Sequence, residues 1–135
     1  MVKERFGPDS ARYATHLAAL GRNLLRQEKW ADAEPVLREC LAYGQKHEPD
    51  HWATFHIQSL LGGALLGQQK YTEAESPLLK GYEGLKKRAD TIPEPGKVRL
   101  TEALERLVRL YDATDRPEKA AAYRRTLEEA KKQKP

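Results

Sequence analysis

Few side chains in this sequence have the type and spacing to do chemistry. Cys40 is the single cysteine. As a nucleophile its thiol needs a base or cation within hydrogen-bond reach, and no histidine is spaced to supply one. Cys40 therefore reads as a small hydrophobe in the core. His47 and His51 stand four residues apart with Asp50 beside them, a spacing that suggests a metal site. Pro49 breaks the helix that would put them on one face, so the segment reads as a polar turn. His16 and His56 have no nucleophile or paired carboxylate placed beside them, so neither reads as a catalytic base, and His56 is retained as a hydrogen-bonding residue. Gly62 and Gly63 lack the preceding strand and the following Gly-Lys-Ser/Thr of a phosphate loop. They read as helix-packing glycines, Gly63 also leaving room on one side. The acid pairs Glu73/Glu75 and Glu128/Glu129 read as solvated helix faces. No constellation supports an enzyme, a metal site or a cofactor.

Composition narrows the class. A chain of 135 residues suits one domain with a real core. Charged residues make up 33% and aromatics 7%, with leucine and alanine filling most apolar positions, which is the balance of a helix-rich surface. A lone cysteine forms no internal disulfide, no apolar run approaches the roughly 18 residues of a membrane span, and "MVKERFGPDS" has no signal-peptide core. These features point to a cytoplasmic protein. The formal net charge of +4 falls entirely in the segment from Arg116 onward. A helix C-terminus favours cations, and a nucleic-acid reader needs a broader basic footprint, so neither nucleic acid nor membrane is expected as a partner.

The elements that position these residues show themselves as an internal repeat. "ALGRNLLRQEKWADAEPVLREC" (19–40) aligns with "LLGGALLGQQKYTEAESPLLKG" (60–81), matching Leu20-Gly21, Leu24, Lys29, Ala33, Glu34 and Leu37 to Leu61-Gly62, Leu65, Lys70, Ala74, Glu75 and Leu78. A third copy, "RLVRLYDATDRPEKAAAYRRTL" (106–127), keeps Leu107, Tyr111 and Ala120, and Pro8, Pro49 and Pro95 mark the junctions in register. Inside each copy apolar residues fall at three- and four-residue steps, so each copy is two amphipathic helices. The spacing predicts six helices near 9–27, 31–46, 50–67, 72–89, 97–113 and 117–132. Gly67 and Pro117 serve as end and start signals, and "RADTIPEPGK" forms a longer surface loop. Trp30 aligns with Tyr71 at the corner between paired helices and reads as a packing wedge. Pro35 and Pro77 read as tolerated near the first turn of their helices.

The pattern resembles the tetratricopeptide repeat, carried by Leu17, Leu20-Gly21, Leu24, Ala33 and Leu37, then by Gln58, Leu61-Gly62, Leu65, Ala74 and Leu78. In the third copy Val108 and Arg124 replace the glycine and the large apolar residue, as a degenerate capping unit would. The period exceeds the usual value of about 34 residues. That longer form is similar to the repeats of kinesin light chains and of bacterial signalling arrays. The resemblance implies an all-α fold: a right-handed superhelix, or α-solenoid, of three antiparallel helix-turn-helix hairpins in one domain over 1–135, with repeats at 9–46, 50–89 and 97–132. About three stacked hairpins are needed for such an array to be stable. The lead "MVKERF" reads as the end of a preceding helix, so the chain is expected to be part of a larger protein, with its first helix exposing an apolar edge.

The resemblance also implies a non-catalytic protein-interaction module whose first helices line a concave groove for a segment of a partner protein. By register the groove residues are Thr15, Arg22, Arg26, His56, Ser59, Gly63, Glu102, Glu105, Arg106, Arg109 and Asp112. Arg22, Arg26, Arg106 and Arg109 suit an acidic partner through their planar donors, or else pair with Glu102 and Glu105. The clamp that binds chaperone tails uses Lys, Asn, Asn, Lys and Arg where this chain has Ala18, Arg22, Leu60, Glu102 and Arg106, which disfavours that ligand. An extended and a helical peptide both remain open. The second expectation is a structural spacer or self-association segment of a larger multidomain bacterial protein, any self-association running through exposed array ends.

Overall fold

The computed structural model describes residues 10–93 and 98–132. Among these the chain forms six α-helices and no strand: α1 Ala11–Arg26, α2 Trp30–His47, α3 Trp52–Gly67, α4 Tyr71–Lys87, α5 Val98–Ala113 and α6 Pro117–Lys132. A 3-10 turn, Ala89–Thr91, follows α4. The helix limits match the sequence expectation to within two residues. The expectations placed on "MVKERF", Pro8, Pro95 and the end of the tail lie outside the described residues.

The three hairpins turn by one device. Glu28, Gln69 and Asp115 take the left-handed conformation, with φ of 60°, 63° and 57°. The next N–H, from Lys29, Lys70 or Arg116, donates back to Leu24, Leu65 or Tyr111 at 2.9 Å and satisfies a carbonyl of the final helical turn. None of the three residues is glycine, so each corner carries left-handed strain of about 1 kcal/mol. Gly67 is therefore not the turn residue. It closes α3, and a Cβ there would fall on the Trp30 ring, so this glycine exists to seat the tryptophan. Pro35 and Pro77 likewise sit deeper than the first turn. They leave the carbonyls of Ala31 and Glu73 without the usual intrahelical donor, at positions exposed to water.

Within the first two hairpins a leucine of the second helix drops onto a glycine of the first. A Cβ on Gly21 would stand 2.5 Å from Leu37 Cδ2, and one on Gly62 would stand 2.6 Å from Leu78 Cδ2. Both leucines are fully buried. The third hairpin exchanges the pair: Val108 fills the space itself, and Arg124 turns outward to Asp112 at 2.7 Å. Tyr123 supplies the missing contact by stacking on Tyr111 at 5.8 Å and meeting Tyr82 edge-on at 6.0 Å. The degenerate third copy is thus a different solution to the same packing problem.

Neighbouring hairpins are joined by a repeated polar clamp. Glu34 on α2 accepts from Gln68 at 2.9 Å and from Lys70 at 3.3 Å in the second corner. Glu75 on α4 accepts from Tyr111 and from Arg116 in the third corner, both at 2.9 Å. These donors hold Glu34 down to about pKa 2, with Gln68 contributing most. Burial pushes Glu75 upward, but the bonds from Tyr111 and Arg116 outweigh it and its pKa also falls. Glu75 is therefore a joint between hairpins and not the solvated acid its sequence suggested. The loop after α4 is pinned by Ile92, which is buried. Arg88 donates to the Asp50 carbonyl at 2.6 Å and lies 4.2 Å over the Phe55 ring.

α3 packs against α1, α2, α4 and α5, and most of its residues are buried. That explains its run "LLGGALLG", apolar on every side. In contrast, α1 leaves Leu20 38% exposed, the one large exposed hydrophobe among the described residues. The apolar edge expected on the first helix is reduced to that side chain and its small neighbours.

Among these glycines the closest approach to backbone is between α4 and α3, where a Cβ on Gly81 would stand 2.7 Å from the Ser59 backbone nitrogen. Backbone cannot rotate aside, so Gly81→Ala is expected to cost about 1–3 kcal/mol in urea denaturation. Gly63→Ala meets the flexible Arg106 side chain at 3.0 Å and should cost less. The reverse order would refute this packing.

Candidate functional site

The first helices of successive hairpins touch, α1 on α3 and α3 on α5, and a series of clefts opens along the face they share. The largest, about 320 Å³, lies over α1, α2 and the start of α3; its walls include Thr15, Ala18, Arg22, Trp52 and His56. A second, about 90 Å³, sits where the three first helices meet, between Arg22, Arg26, His56, Arg99, Glu102 and Arg106. A third, about 180 Å³, continues past Arg26, Trp30, Gly63, Arg106 and Arg109. Arg22 and His56 border the first two clefts, and Arg26 and Arg106 the last two, so the three form one continuous track.

The track gathers eight of the eleven residues expected from the register: Thr15, Arg22, Arg26, His56, Gly63, Glu102, Arg106 and Arg109. Three fall elsewhere. Ser59 is fully buried beneath α4, and its Oγ accepts a 3.0 Å bond from Arg106. Glu105 turns toward α6, with Lys131 at 3.8 Å, and Asp112 pairs with Arg124. The register groups residues by helix face but does not say which polar side chains pack inward or lean on the neighbouring helix.

Several residues of the track were missed, among them Trp52, Arg99 and Trp30. Arg99 stands beside Glu102 at 3.0 Å. Its place was legible, because Arg99, Glu102, Arg106 and Arg109 follow three- and four-residue steps along one face of α5. Trp30, expected as a wedge in the corner of its own hairpin, packs across onto Gly67 of the next one and also walls the third cleft.

Charge in the track is lopsided. Glu102 pairs with Arg99 and Glu105 with Lys131, and both carboxylates also act through space on Arg106, so the alternative reading holds for Arg99 and in part for Arg106. Among the described residues, Arg22, Arg26 and Arg109 have no carboxylate within ion-pair distance. Arg106 crosses from α5 onto α3, its chain lying over Gly63 and its guanidinium bonded to Ser59. Burial pulls its pKa below the ordinary arginine value; Arg109 and Arg99 add to that pull, while Glu102 and Glu105 oppose it.

His56 lies among these cations with 6% of its surface exposed, and neither ring nitrogen has a hydrogen-bond partner. Burial, reinforced by Arg99, Arg106 and Arg22, lowers its pKa to about 3, so the ring is neutral at physiological pH. His51 instead caps α3, its Nδ1 accepting from Ala53 N at 3.0 Å, while His47 packs on the Tyr43 ring at 4.5 Å. Cys40 is buried and donates to the Ala14 carbonyl at 3.5 Å, on its own hairpin partner α1. Burial pushes the thiol up to about pKa 11, with Glu39 adding to the shift, so it is a poor nucleophile.

The His56 environment has a pH signature. The unfolded chain takes up this proton near pH 6.5, whereas the folded chain refuses it until about pH 3. Stability therefore falls as pH drops through that window, at up to about 1.4 kcal/mol per pH unit. Glu34 and Glu75, whose folded pKa values are lowered from 4.5, contribute losses only at more acid pH. Urea denaturation at about pH 7 and about pH 5.5 should differ by about 1 kcal/mol in the native chain, and His56→Gln should remove most of the difference. An equal loss in the variant would place the proton uptake elsewhere. In comparisons with known proteins, no protein-family model and no curated protein matches this chain.

Proposed function

We propose that this chain is a non-catalytic helical-repeat module of the tetratricopeptide type that binds an acidic segment of another protein along the track of clefts. The observation that carries the reading is the row of arginines that no carboxylate of the track pairs with, apart from Glu102 on Arg99. A guanidinium presents a rigid planar fork of donors that matches a carboxylate bidentately. Between the charges, the walls formed by Ala14, Ala18, Ile57, Leu25 and Leu66 offer apolar purchase for the partner's other side chains. A track lined alternately by apolar walls and arginine forks suits a segment that alternates apolar and acidic residues. The reading is of a cytoplasmic protein, in keeping with its one free cysteine; among the described residues no helix is long and apolar enough to cross a membrane.

An array of acidic and neutral peptides tests this directly. Binding should favour acidic members, weaken as salt rises from about 50 to 200 mM, and fall at least about tenfold in Arg22→Glu/Arg109→Glu. Binding that survives the double charge reversal, or an array with no binder, would remove the reading.

Leu20 supports a second reading, self-association. Its equivalents Leu61 and Leu107 are buried, whereas Leu20, on the first described helix, is 38% exposed. Sedimentation should then show concentration-dependent dimers that Leu20→Arg abolishes. A monomer at all concentrations would rule this out.

A further inference from the structure

The cleft where α1, α3 and α5 meet differs from the rest of the track. Arg22, Arg26, Arg99 and Arg106 wall it against the single carboxylate of Glu102, which Arg99 already engages. His56 forms part of the same wall, 6% exposed, with both ring nitrogens lacking a hydrogen-bond partner. A buried polar atom left unbonded costs about 1–3 kcal/mol, and like charges gathered in a half-buried space repel. A bound anion offsets the repulsion and gives the one ring N–H of neutral His56 an acceptor. The space, about 90 Å³, has room for several water-sized atoms.

The charge balance identifies the anion. A carboxylate brings one charge and two oxygens, and leaves most of these cations uncompensated. A phosphate monoester brings about −1.5 to −2 and three acceptor oxygens, enough to engage Arg22, Arg26 and Arg106 while taking the ring N–H of neutral His56. We infer that this three-helix junction is a receptor for the phosphate of a phosphorylated serine or threonine on the partner segment. The inference rests on the groove reading for its partner, but the pocket itself binds on its own terms. The lowered pKa of His56 fits this role, since a neutral ring retains one donor without adding a further buried charge.

The test is an NMR titration that follows the ring Cε1–Hε1 signal of His56, using capped phosphoserine, capped glutamate and inorganic phosphate as probes. Capped phosphoserine should give a saturable shift of that signal and bind at least about tenfold tighter than either of the others. Arg22→Ala should weaken it at least about tenfold without lowering the temperature of thermal unfolding, because it removes one of the repelling cations. His56→Gln, followed by tryptophan fluorescence from Trp52, whose ring lies 6.4 Å from His56, should weaken it as well. Equal binding of capped glutamate, or indifference to Arg22→Ala, would overturn the phosphate assignment. Inorganic phosphate binding as tightly as capped phosphoserine would assign the pocket to the free ion and overturn the side-chain source. Because the probes need no groove, phosphoserine binding without any peptide binding would sink the groove reading alone. Peptide binding without a His56 response would sink this inference alone.

Discussion

A helix in contact with four others has no face left for large side chains of its own where the neighbours cross closely, and α3 is in that position. Along its length the crossing points are glycines or a serine, and between them they admit groups from α2, α4 and α5. Gly62 takes Leu78 from α4, Gly63 takes Arg106 from α5, Gly67 takes Trp30 from α2, and Ser59 lies under Gly81. Each approach requires the absence of a β-carbon on one partner, because packed interiors leave no slack for one. The apolar stripes of α1, α2, α4 and α5 are arranged around that central helix, and so is the track of clefts.

The same arrangement sorts charge. In its first 115 residues the chain balances basic and acidic side chains, so composition alone gives no hint of a charged surface. The fold separates them. Glu34 and Glu75 join hairpin to hairpin, Glu105 and Asp112 lean toward α6, and Glu102 is held by Arg99. The arginines of the shared face keep their charge because the acids are engaged elsewhere in the scaffold.

How much of this could be read from sequence depends on what kind of information fixes each feature. Apolar periodicity and the repeat register fix which residues are helical and which face is inward, so all six helices and the face carrying the arginines were legible. The choice a polar side chain makes between two neighbours is set by side-chain reach and the crossing geometry of helices, which periodicity does not contain. Ser59 and Glu75 were misjudged for that reason. Gly67 ends its helix as the sequence suggested, but the left-handed corner falls at Gln69, one of three non-glycine residues whose shared role shows only in backbone angles. Tyr123 was invisible because its ring replaces a contact that the first two copies make with leucine one position further along.

Arg106 joins two hairpins and two roles. Rooted in the third hairpin, it reaches over Gly63 to Ser59 in the second, while its charged end borders the junction of the first helices. Mechanically it is a tie-rod between the second and third hairpins, so truncating it would free both the Ser59 hydroxyl and the space over Gly63.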